Sequence, residues 1–76
     1  PYDEAENDRV YRESQQQRYL ERQIRKAKRE VEMMKAIGSE KGVREAQQKV
    51  RARQAAMRKF IEATGRTRRY DREQIV

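Results

Sequence analysis

Between Ser14 and Gly38 the chain has neither glycine nor proline, and its apolar residues fall in a strict rhythm. Leu20, Ile24, Ala27, Val31 and Met34 are separated by 4, 3, 4 and 3 residues. That spacing is a heptad seam, narrower than the apolar face of a globular helix. A second stripe lies beyond Gly38-Ser39: Val43, Ala46, Val50, Arg53, Met57 and Phe60, at intervals of 3, 4, 3, 4 and 3. Two seams of equal period on either side of a glycine and a capping serine predict two helices folded back on each other. The predicted fold is all-α, an antiparallel two-helix hairpin of the coiled-coil kind.

The first helix is predicted over about residues 14–37. Ser14 and Gln17 have the form of a capping box at its start, and Ile37 closes its seam. The second is predicted over about residues 40–63, with Thr64-Gly65 as its stop. Ile61 widens the stripe near that end, and Tyr19 flanks the seam beside Leu20. Glu21 with Arg25, Glu40 with Arg44, and Glu45 with Lys49 are spaced for favourable i, i+4 pairing, about 0.2–0.5 kcal/mol each.

The segments outside 14–65 differ in charge. Residues 1–13 set Asp3, Glu4, Glu6, Asp8 and Glu13 against Arg9 and Arg12, a net of −3. With few apolar residues they are expected to form an extended or partly ordered acidic lead-in, from which Tyr2, Val10 and Tyr11 dock on the downstream hairpin. Residues 66–76 form a basic tail ending in Ile75-Val76. The chain begins with Pro1, and the expectation is a piece of a longer protein.

Composition limits what such a hairpin does. Of the 76 residues, 43% are charged and 34% hydrophobic, and Leu, Ile, Val and Phe together number 11. That supply is too small for a core enclosing an enzyme pocket. The absence of Cys and His excludes disulfides, thiolate and imidazole metal sites, and catalytic groupings that require either residue. The carboxylates stand mostly singly among Arg and Lys, and the three glycines are too far apart for a phosphate-cradling loop. No enzymatic activity, cofactor or metal is expected. No apolar run is long enough to span a membrane. About ten seam side chains, several of them Ala or Met, leave the hairpin near the margin of stability, so self-association into a helical bundle or docking on a parent domain is expected.

The surface carries the functional signal. Lys and Arg number 20 against 13 Asp and Glu, a net charge of +7. Arg18, Arg22, Arg25 and Arg29 recur at 4, 3 and 4, nearly opposite the Leu20, Ile24 and Val31 seam. Arg44, Arg51 and Arg58 repeat every seven residues on the outer flank of the second helix. Arg66, Arg68, Arg69 and Arg72 surround Tyr70 in the tail, a composition suited to gripping phosphate and stacking on a base. Two readings stay open from charge alone: a surface for nucleic-acid phosphate or an acidic protein, and the solvated faces of a hairpin. Glu21, Glu30, Glu32, Glu45 and Glu62 interrupt the basic patches.

The run Tyr11-Arg-Glu-Ser-Gln-Gln-Gln-Arg-Tyr-Leu-Glu-Arg-Gln-Ile-Arg-Lys-Ala-Lys-Arg-Glu30 resembles the Q-x-x-R-x-L-E-R-x-I-R-x-x-K-R-E run near the C-terminus of phage minor capsid proteins. The block from Gln54 to Val76, in which a helix closes at Thr64-Gly65 before a basic tail, is similar to that family's ending. The likeness spans about residues 11–76. It implies a structural component of a phage or prophage head, acting through protein contacts with other head proteins, the portal or the capsid. The implied location is the virion or procapsid, and the host cytoplasm during assembly. The alternative function is a nucleic-acid-binding module that contacts packaged DNA through its arginine-rich faces and tail. The family supplies no catalytic residues to carry over. Arg18, Arg22, Arg25, Arg29, Arg66, Arg68, Arg69 and Arg72 are interaction candidates on charge geometry. Leu20, Ile24, Val31, Met34, Val43, Val50, Met57 and Phe60 are the expected helix seam.

Overall fold

A computed structural model describes residues 3–66. They form two helices, α1 (Glu4–Ala36) and α2 (Glu40–Thr64), packed along each other as an antiparallel hairpin. Among the described residues there is no strand.

Helix α1 starts ten residues before the predicted Ser14. Asp3 is the N-cap: its backbone is extended and its Oδ1 accepts a hydrogen bond from the Glu6 N–H at 3.3 Å. The Asn7 N–H reaches the Asp3 carbonyl at 3.0 Å and closes the first helical turn. Glu4 and Glu6 in that turn complement the positive end of the helix dipole. The acidic segment is therefore helix from Glu4 onward, which corrects the expectation of an extended or partly ordered lead-in. Once α1 is nucleated downstream, extending it across residues without Gly or Pro requires no buried face. Ser14 lies half-buried inside α1 and caps nothing.

The connection between the helices is fixed by local chemistry. Gly38 has φ 76°, in the left-handed region where a side chain is strained. Its N–H donates to the Lys35 carbonyl at 3.1 Å, and the Ser39 N–H donates to the Met34 carbonyl at 3.0 Å. This pair of bonds is a Schellman motif. Ser39 then serves the next helix, its Oγ accepting from the Gly42 N–H at 3.0 Å. Ile37, as the C-cap of α1, is 69% exposed and does not close the seam. At the far end Gly65, with φ 69°, caps α2 and donates to the Ile61 carbonyl at 2.8 Å.

The core is one narrow layer. Ile24, Ala27 and Val31 from α1 and Ala46 and Met57 from α2 are buried, Met57 completely. Leu20, Met34, Val43, Val50, Phe60 and Ile61 are half-buried along its edges. Arg53, which occupies a seam position in the sequence pattern, is exposed. Tyr19 is 48% exposed, on the outer side of the boundary. Two buried polar residues, Gln17 and Glu21, continue the layer toward the start of α1.

Three cross-helix features set the register. Near the turn, a Cβ added to Gly42 would lie 2.6 Å from Met34 Sδ, so the missing side chain lets the helices converge. In the middle, Lys49 Nζ lies 3.4 Å from Glu30 Oε2. Lys49 thus spans to α1 instead of forming the predicted pair with Glu45. At the open end Arg66 meets Gln17. The other ion pairs among the described residues are Glu6 with Arg9 and Glu32 with Lys35, both i, i+3, and the expected Glu21–Arg25 and Glu40–Arg44 pairs do not form.

Candidate functional site

Since α2 ends at Thr64 and Arg66 lies against Gln17, α1 continues past its partner over residues 4–12, with Glu13 and Ser14 half-buried at the boundary. At 1.5 Å per residue that projection is about 14 Å long. Residues 4 to 12 are exposed throughout, including Val10 at 44% and Tyr11 at 64%. The expected docking of these two side chains on the hairpin does not occur, because α2 is too short to reach them.

The base of the projection is a polar knot. Gln17 Nε2 donates to Glu21 Oε1 at 3.5 Å, and Arg66 Nε donates to Gln17 Oε1 at 2.7 Å. The left-handed turn at Gly65 directs Arg66 back across the hairpin. Thr64 Oγ1 assists by donating to the Phe60 carbonyl at 2.8 Å and accepting from the Arg66 N–H at 3.4 Å. Among the described residues no buried side-chain polar atom lacks a partner. Reasoning confined to apolar residues misses Gln17 and Glu21. The available signal is their spacing, since Gln17 precedes Leu20 by three residues and Glu21 precedes Ile24 by three.

Arg18, Arg22, Arg25 and Arg29 are all exposed and lie within about 60° of arc on α1. None of the four forms an ion pair among the described residues. Arg44, Arg51 and Arg58 are exposed along α2. A shallow cleft on one flank, lined by Gln23, Lys26, Ala27, Glu30, Lys49 and Arg53, adds further basic groups. Arg66 is half-buried and engaged within the hairpin. Arg68, Arg69, Arg72 and the aromatic Tyr70 lie outside the described residues.

Among the described residues no grouping of Asp or Glu is arranged to hold a metal ion, and no helix is long and apolar enough to cross a membrane. The described residues form a slender all-α hairpin whose charged groups are spread over its outer faces. A family model, phage minor capsid protein 2, matches residues 1–62, and the chain belongs to that family. The match takes in the projecting start of α1 as well as the hairpin. It ends before Thr64-Gly65 and the tail, so the likeness at the family's ending falls partly beyond it. No curated protein matches the chain, and no solved structure does.

Proposed function

We propose that this hairpin is an assembly module of a phage or prophage head, acting through protein-protein contacts with the portal or capsid. The observation that carries the proposal is the projection of α1 beyond α2. Over residues 4–12 about 14 Å of helix is exposed, Val10 and Tyr11 included, and a protein partner laid along it would cover that surface. Family membership supports a structural role in the phage particle. The hairpin is then a structural part of the procapsid and virion, present in the host cytoplasm during assembly, and performs no catalysis. Co-purification with portal and capsid proteins during head assembly tests this. Changing Glu6 and Glu13 to Lys, which reverses charge on the projection, is expected to deplete the protein from heads. Incorporation at the wild-type level would refute the proposal.

A second reading is favoured by the four arginines on α1 that have no ion-pair partner among the described residues. In it the arginine stripe and the tail hold packaged DNA. Such binding must weaken with salt, with a log-log slope of about −0.9 per phosphate neutralised. Replacing Arg18, Arg22, Arg25 and Arg29 by Gln should then flatten the slope by about 4. Absence of DNA binding near physiological salt excludes this reading.

A further inference from the structure

We infer that the projecting start of α1 docks on the arginine stripe of a second copy of this chain. The inference deepens the assembly reading by naming a partner for the exposed helix. The heptad positions of the seam do not stop where α2 stops. Upstream of Gln17 they continue through Glu13, Val10, Glu6 and Asp3, at spacings of 4, 3, 4 and 3. The seam face thus runs onward as three carboxylates around one exposed valine. Arg18, Arg22, Arg25 and Arg29 form an exposed stripe of closely similar spacing. Both stripes are about 15–17 Å long, so four arginines match the acidic ridge from end to end.

Within one molecule the two stripes have no means of meeting. They lie on the same straight helix, in successive segments, and are turned about 110° apart around its axis. Between two molecules they are complementary in charge and length. Guanidinium groups bind carboxylates through paired donors, and the arginine stems provide apolar cover for Val10. The existing Glu6–Arg9 pair at 2.8 Å is on the surface and exchanges readily for an intermolecular partner. Face-to-face pairing of two projections is disfavoured, because it sets Asp3, Glu6 and Glu13 against their own copies. The patches on the two partners differ, so the contact is heterologous and propagates into a ring or an open chain. A contact this small and charged is weak and disappears with salt.

Sedimentation of the 76-residue chain over a range of concentrations, at low and high salt, provides the test. Two charge-reversed variants are used. One carries Arg18→Glu, Arg22→Glu, Arg25→Glu and Arg29→Glu, and the other Glu6→Lys and Glu13→Lys. The wild-type chain is expected to grow in mass with concentration at low salt and to be monomeric at high salt. Each variant alone should be monomeric, since one has two acidic stripes and the other two basic ones. Mixed, they should associate in alternation and grow in mass with concentration at low salt, because the acidic projection of one matches the basic stripe of the other and the basic projection of the second matches the acidic stripe of the first. Far-UV circular dichroism verifies that each retains its helices. If the Glu set unfolds, the same four positions changed to Gln must still weaken wild-type association. A wild-type chain that stays monomeric at low salt overturns the inference, as does a mixture of variants that fails to associate. Failure here with normal incorporation into heads removes the self-contact and leaves the assembly reading intact. Loss of the wild-type chain from heads removes that reading and leaves the sedimentation result untouched.

Discussion

Replacing Gly42 by Ala sets two opposing terms against each other, and the structure decides between them. Alanine is the better helix former by about 1 kcal/mol in a helix interior, and by less in the first turn where Gly42 lies. Against this, the new Cβ would lie 2.6 Å from Met34 Sδ, 2.8 Å from Ser39 Oγ and 3.0 Å from Met34 Cγ. Optimal separations are about 3.5–4.0 Å, so Met34 must move by roughly 1 Å or the helices must part. Overpacking of this kind costs about 1–3 kcal/mol. Displacing Ser39 Oγ also weakens the cap it makes to the Gly42 N–H at 3.0 Å, a bond worth about 1 kcal/mol. The steric terms win, and a net loss of about 1–2 kcal/mol is expected.

The assay is urea denaturation followed by far-UV circular dichroism, at one protein concentration and at high salt to suppress association. The midpoint should fall for Gly42→Ala. Met34→Ala removes the principal obstacle, so the double variant should be more stable than the sum of the two single losses implies, by about 1 kcal/mol or more. A Gly42→Ala protein as stable as the wild type would refute the close approach of the helices near the turn. Strict additivity would show that Met34 is not what the new methyl group meets.

Ile24→Asp should abolish the helical signal, because it buries a charge at a site only 8% exposed. Val50→Asp, at a half-buried position, should lower the melting temperature with less effect; equal and minor losses for the two would place the core elsewhere. Arg66→Gln removes the 2.7 Å bond to Gln17 Oε1 and should cost about 1–2 kcal/mol by urea denaturation. In a Gln17→Ala background the same change should cost far less, and an undiminished loss would show that Arg66 stabilises the hairpin by another route.

The features legible in the sequence are those governed by neighbours along the chain. Gly38 terminates α1 because a left-handed residue is needed after its last turn, and Ser39 starts α2 because its hydroxyl reaches an orphan N–H three residues on. The 3,4 spacing around Ile24 and Val31 likewise identifies an all-α hairpin, since no strand period matches it. The start of α1 is also local chemistry, in the Asp3 cap and its acidic first turn. Equating low hydrophobicity with absence of helix hides it. What only the tertiary structure decided depends on register and relative length. The burial of Gln17 and Glu21, the turning inward of Arg66 and the pairing of Lys49 with Glu30 depend on which turn of α2 faces which turn of α1. The exposed projection exists because a helix of 33 residues faces one of 25 across a turn that fixes both at the same end. Spacing along one helix carries no information about where its partner stops.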